Sequence, residues 1–180
     1  LGFPDFRDRI DAVLAEARSA GVLGAITIAT TLEDAISNRV IAREHDHVWF
    51  TAGVHPLYAD RQPFDWSILA LLGTDPKCVA WGELGLDNHY DKPHRDVQHK
   101  VLDEQLAAIE ACHSSGTVHP VVIHCREAFD DLLPVLRSSK LDPSQFVFHC
   151  FTGSADDGRA VLDFGAMLSF TGVLTYRNAQ

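Results

Sequence analysis

The sequence has no run of the roughly 18 apolar residues that a membrane-spanning helix needs, so no span and no membrane partner are expected. Its first ten residues, Leu1 to Ile10, are charged and have no apolar core, so they do not read as a secretory leader. The chain opens on Leu rather than Met, so its beginning is expected to have been cut away or never recorded. Among its four cysteines, Cys78, Cys112, Cys125 and Cys150, there is no C-x-x-C pairing. Free buried thiols in a reducing cytoplasm are expected, not a disulfide framework. Positive charge is scarce: 15 Lys and Arg face 25 Asp and Glu, a net charge of −10. That excludes a broad basic face gripping long nucleic acid. A phosphate substrate is still open, because bound divalent cations reverse the local sign. Linkers, low-complexity tracts and short repeats are also missing, and 180 residues suit one domain spanning 1–180.

What is present is a repeated event. A short apolar strand ends on an ionisable residue three times: Val79–Gly82 on Glu83, Val121–Ile123 on His124, and Phe146–Phe148 on His149. Further strands read at Ala25–Ala29, Val48–Ala52 and Ala166–Phe170. Helical spacing of apolar residues falls between them, over 5–20, 31–44, 64–72, 96–114, 128–138 and 155–164. Pro134 is expected to kink the fifth helix or shift its start. Strand and helix alternate at spacings too long for hairpins, which predicts an α/β fold with a parallel sheet. Six such units suit an open doubly wound sheet or most of an eight-fold barrel, and both place function at the C-terminal strand ends.

A polar side chain at the mouth of a buried strand is costly without a partner. Glu83, His124 and His149 at matching positions form a carboxylate-and-imidazole ligand set for Zn²⁺, Mn²⁺ or Mg²⁺. Any one of them alone would read as a satisfied strand-end residue. His55, in Gly53-Val54-His55-Pro56, points to the same mouth or sits on a turn. Asp87 either orients a ligand or caps a turn, the cap being the simpler reading. Arg126 holds a phosphate oxygen or pairs with Glu127 or Asp130. Thr152-Gly153-Ser154 offers N–H groups to an anion or caps the last helix. The remaining histidines, 45, 47, 89, 94, 99, 113 and 119, read as surface or structural.

The strings themselves resemble those of the TatD family of metal-dependent hydrolases. Gly53-Val54-His55-Pro56 and Gly82-Glu83-Leu84-Gly85-Leu86-Asp87 are similar to its GVHP and GE-x-GLD motifs. Ile123 to Ala128 is similar to IH-x-R-x-A, and His149 to Ser154 to HCFTGS. Ser169 to Gly172 with Thr175 to Ala179 resembles S-x-x-G…TF-x-NA. The resemblance implies a TIM-type (β/α)₈ barrel with one or two divalent cations (Mg, Mn or Zn), incomplete here at about six βα units. It implies hydrolysis of DNA phosphodiesters, typically as a 3′→5′ exonuclease. By position, Glu83, His124 and His149 would be metal ligands, with Glu83 bridging where two ions bind. His55 and Arg126 would lie by the substrate phosphate.

The family's initial H-x-H and its catalytic Asp near the end fall outside this sequence, so no general base is assigned. The first and last barrel strands are expected to be missing. His89 also departs from the family, which often has an aromatic residue after GLD. The expected function is a cytoplasmic, monomeric, metal-dependent hydrolase of DNA ends or short oligonucleotides. Two other readings stay open: an amidohydrolase or phosphotriesterase acting on small molecules, and a truncated, non-catalytic barrel.

Overall fold

The computed structural model describes residues 1–177 except 3 and 7. Asn178 and Ala179, part of the last family-like motif, lie outside the described residues. Six strands form one sheet in which every pairing is parallel: β1 (Ala25–Thr27), β2 (Val48–Ala52), β3 (Cys78–Asp87), β4 (Val121–Arg126), β5 (Phe146–Phe148) and β6 (Met167–Leu168). Their spatial order is the chain order, β1-β2-β3-β4-β5-β6. A doubly wound sheet reverses its strand order at a switch point, whereas a barrel wall does not. Of the two expected architectures, the barrel wall is therefore the one observed. Among the described residues, no strand pairs with the outer edge of β1 or of β6. Exposed apolar side chains mark both edges, Leu23 and Ile26 at one and Met167 and Phe170 at the other.

The helices are α1 (Ile10–Ser19), α2 (Leu32–Glu44), α3 (Trp66–Gly73), α4 (Arg95–Ser114), α5 (Phe129–Ser138) and α6 (Ala155–Phe164). Their ends follow local chemistry. The Thr31 side chain accepts from the Asp34 N–H, and the Asp65 side chain accepts from the Ser67 N–H. Ser154 and Asp157 form a reciprocal capping box, and Gly165 closes α6 in the left-handed region at φ 97°. Ser154 is therefore engaged as a helix cap. Helix α5 continues through Pro134 because that face is exposed, so the carbonyl that loses an N–H partner reaches water.

The core lies between sheet and helices. Phe50, Trp81, Leu84, Ile123, Phe146 and Phe148 from the strands meet Leu69, Leu72, Leu102, Ile109 and Leu132 from the helices, all fully buried. Each such side chain contributes about 1.5–3 kcal/mol. Helix α4 buries Gln98, Val101, Leu102, Gln105, Leu106, Ile109 and Cys112 on one stripe. The two glutamines on that stripe, seven residues apart, are the exceptions to its apolar character.

All four cysteines are free thiols; Cys78, Cys112 and Cys125 are buried. Burial pushes the Cys78 and Cys125 thiols up to about 12. His113 and His119 serve the fold: His113 Nε2 accepts from the Trp81 indole N–H at 3.1 Å, and His119 Nε2 contacts the Gly73 carbonyl at 2.8 Å. No helix among the described residues is long and apolar enough to cross a membrane.

Candidate active site

The strands reach further than the apolar runs suggest. β3 continues past Glu83 to Asp87, and β4 past His124 to Arg126, with Leu84 to Asp87 registered against Ile123 to Arg126. Glu83 and His124 therefore stand within strands rather than at their ends. The extension requires two glycines. A Cβ on Gly82 (φ +119°) would lie 2.5 Å from the Val122 carbonyl oxygen, and one on Gly85 (φ +145°) 1.9 Å from that of His124. Only glycine lets the two backbones approach this closely. The register of β3 shifts between Trp81 and Leu84, across Glu83. The Glu83 N–H donates to the Ala29 carbonyl, and Thr51 links the same two segments by donating to the Gly82 carbonyl while accepting from the Ala29 N–H.

Three donor atoms converge, from His55, Glu83 and His124, all within 4.8 Å of one another. His124 Nδ1 is 3.1 Å from Glu83 Oε1 and 3.0 Å from His55 Nε2. Its other nitrogen, Nε2, is 2.9 Å from Asp87 Oδ2. Asp87 is buried, and its second oxygen accepts the His89 N–H at 3.0 Å. The carboxylate thus both orients His124 and forms the turn, so the two readings of Asp87 are compatible.

This network sets the tautomers. A carboxylate only accepts, so His124 donates Nε2–H to Asp87 and turns Nδ1 toward Glu83. His55 accepts the Leu57 N–H on Nδ1 at 3.1 Å, which puts its own proton on Nε2, facing the centre. The His55 Nε2–H then donates to the His124 Nδ1 lone pair at 3.0 Å, while Glu83 Oε1 stands 3.1 Å from the same nitrogen, so a lone pair and a negative charge share this centre. A divalent cation suits the same donors, one anionic oxygen and one imidazole nitrogen backed by a carboxylate, so the residues fit such an ion.

The electrostatics follow from this geometry. Burial works against a charged His124, but the hydrogen bonds and negative charges of Glu83 and Asp87 outweigh it and hold the imidazole above its ordinary value. Burial also opposes ionisation of Glu83, yet the His124 hydrogen bond and the charges of His55, His124 and His149 bring its carboxyl below the usual range. His55 is pushed down to about 4, first by burial and then by His124, so it is neutral at pH 7.

His149 follows β5 and lines a cavity of about 650 Å³ together with His124, Arg126, Phe129 and Thr152. It adjoins the convergent group without belonging to its three atoms. Of the expected ligands, the fold thus brings Glu83 and His124 together and sets His149 beside them, while His55 stands closer to the centre than a phosphate contact alone requires. The Arg126 guanidinium lies over the Tyr90 ring, 5.3 Å from its centroid, and Glu127 pairs with His89 at 2.8 Å. Among the described residues, neither Glu127 nor Asp130 pairs with Arg126.

Sequence reasoning missed Gln98 and Gln105 as supports of the site. Gln105 accepts the Val54 N–H at 2.8 Å and donates to the Val54 carbonyl at 2.9 Å. Gln98 accepts the Asp87 N–H and donates to the carbonyls of Asp87 and Pro93, each at 2.9 Å. One face of α4 thereby holds the backbone beside His55 and at Asp87. The available signal was an amide on an otherwise apolar helix stripe, which is costly unless partnered.

The family profile described as TatD related DNase matches residues 1–180. The chain belongs to that family. It is 33% identical over 180 residues to the Escherichia coli K12 protein named uncharacterized metal-dependent hydrolase YcfH, covering 100% of this chain and 66% of that protein. It is 33% identical over 167 residues to the Klebsiella pneumoniae protein named 3′-5′ ssDNA/RNA exonuclease TatD, covering 90% of this chain and 60% of that one. The crystal structure of YJJV, a TatD homologue from Escherichia coli K12, superposes with a TM-score of 0.88 at 29% identity, over 99% of this chain and 68% of that chain. The chain thus spans about two-thirds of the length of these TatD-family relatives.

Proposed function

We propose that this chain carries the metal-binding and phosphate-binding side chains of a divalent-metal-dependent phosphodiesterase that removes nucleotides from DNA ends, in the 3′→5′ direction. The observation that carries the reading is the convergence of Glu83, His124 and His55, with Asp87 behind His124. The name of the Klebsiella pneumoniae relative, a 3′-5′ ssDNA/RNA exonuclease, supports the substrate class.

Glu83, His124 and His149 would hold one or two divalent cations. Such ions polarise a phosphoryl oxygen and lower the pKa of a bound water. The chain's own groups do the rest. Asp87 keeps the His124 Nδ1 lone pair aimed at the centre. His55, neutral and carrying its proton on Nε2, donates a hydrogen bond to a non-bridging phosphate oxygen. Arg126 supplies a permanent positive charge at the cavity wall. With a net charge of −10, capture relies on this local charge and on the cations rather than on a basic surface.

The test uses the full-length protein with a labelled single-stranded oligonucleotide in Mg²⁺ or Mn²⁺, beside its Glu83→Ala variant. Stepwise release of nucleotides by wild type, reduced in the variant to the level seen with chelator, is expected. Hydrolysis of small esters or amides while oligonucleotides stay intact would refute the nuclease reading.

A further inference from the structure

A half-exposed aromatic ring stands beside the cavity with no role in the core. Tyr90 is 48% exposed, three residues beyond Asp87, in the loop between β3 and α4. Its ring carries the Arg126 guanidinium on one side, and the His89 ring meets it at 4.9 Å and 85°. The loop is fastened at several points. The Asn88 N–H donates to the Arg126 carbonyl at 2.9 Å, and the Asn88 side chain donates to Asp131 at 2.7 Å. His89 is tied to Glu127 through its ring and to Asp87 through its backbone, and Gln98 holds the Pro93 carbonyl. An exposed tyrosine on a free loop would mean little. This one is held rigidly against an arginine that also lines the cavity of His124 and His149.

We propose that Tyr90 is the stacking platform for a nucleobase, and so a specificity-determining residue of this site. The inference rests on the phosphodiesterase reading above. A guanidinium at a phosphate-binding position, with an aromatic face next to it, matches the repeating unit of single-stranded nucleic acid, in which a base hangs from each phosphate. Every base has a π-face, so such a platform grips the strand without reading its sequence. It also favours a nucleic acid over a base-free phosphodiester. The duplex form hides its base faces in the stack, so the platform favours single-stranded or frayed ends.

The competing role for Tyr90 is purely to position Arg126, and the experiment separates the two. In the full-length protein, with Ca²⁺ replacing Mg²⁺ to slow cleavage, binding of a labelled single-stranded oligonucleotide is measured by fluorescence anisotropy. The same strand with abasic sites at its last two 3′ nucleotides serves as comparison. Tyr90→Ala is expected to weaken binding of the intact strand on the order of 10- to 100-fold and to leave the abasic strand unchanged, while Tyr90→Phe stays within about threefold of wild type on both. A 2-aminopurine placed at those positions should be quenched by wild type and released from quenching in Tyr90→Ala. Equal losses on intact and abasic strands would overturn the proposal and leave Tyr90 as a support for Arg126, as would unchanged binding of both. Wild type that binds neither strand would instead refute the phosphodiesterase reading on which it depends.

Discussion

Replacing Gln105 by leucine would expose how much of the site's geometry helix α4 carries. Gln105 is completely buried, and its amide satisfies both the N–H and the carbonyl of Val54 at 2.8 and 2.9 Å. Leucine nearly fills the same space, so the substitution leaves little cavity; what it removes is the partner of two buried backbone groups. Each orphaned group costs about 1–3 kcal/mol, so Gln105→Leu should cost roughly 2–6 kcal/mol. That is a large share of the roughly 5–15 kcal/mol typical of a domain. Urea unfolding of the full-length protein, with wild type alongside, gives the number. Gln105→Glu sharpens the argument. At neutral pH the introduced carboxylate accepts the Val54 N–H but repels the Val54 carbonyl, and a carboxylic acid can restore the missing donor. The deficit of that variant should therefore shrink as pH falls through the titration of the introduced carboxyl group. Because Val54 precedes His55, the surviving folded fraction should bind oligonucleotide more weakly while holding metal nearly as well. A Gln105→Leu stability within about 0.5 kcal/mol of wild type, inside the range of ordinary surface substitutions, would refute the clamp.

Two other substitutions separate the site from the scaffold. Asp87→Asn removes the obligate acceptor behind His124 and lets the imidazole adopt the wrong tautomer, so Mn²⁺ or Zn²⁺ affinity measured calorimetrically should drop about 10- to 100-fold with a small effect on melting. Unchanged metal affinity would mean that His124 is not the ligand. Asp75 lies in the turn before β3, away from the site, and accepts from Arg39 Nε at 2.6 Å and Arg43 Nε at 2.9 Å. Burial opposes its charge, but the Lys77 N–H and the two arginines outweigh that and hold its carboxyl below the ordinary 3.8. A depressed native pKa gives stability that is fully present above the unfolded value and is lost as pH falls through the folded one. Asp75→Asn should therefore cost roughly 1.5–3 kcal/mol at pH 7, nearer the low end because Arg43 is exposed. The difference from wild type should shrink as the pH falls below the ordinary carboxylate value and vanish once the carboxyl is protonated in the folded protein. A difference that persists in acid would point to packing rather than charge.

Much of this molecule was legible in its order of residues. Apolar runs alternating with amphipathic stretches gave the parallel α/β class, because strand and helix bury their faces with different periods. Caps such as Thr31, Ser154 and Gly165 marked helix ends through chemistry confined to a few neighbouring residues. The family-like strings pointed to Glu83, His124 and His149 as ligands and to His55 and Arg126 at the phosphate; the fold brings His55, Glu83 and His124 together and sets His149 and Arg126 along the cavity that His124 also lines. The alternation of strands and helices left both the doubly wound sheet and the barrel wall open, since the two differ in strand order, a property of pairing between distant segments; the family resemblance pointed to the barrel, and the strand order agrees with it. It read strands as ending at Glu83 and His124, although pairing between β3 and β4 extends both by several residues through Gly82 and Gly85. Above all, it could not assign the partners of polar groups. Asp87 meets His124 across 37 residues, Gln105 meets Val54 across 51, and Arg126 finds Tyr90 rather than Glu127 beside it. Composition and local pattern determine which residue must find a partner once buried; only the tertiary structure decides which partner it finds.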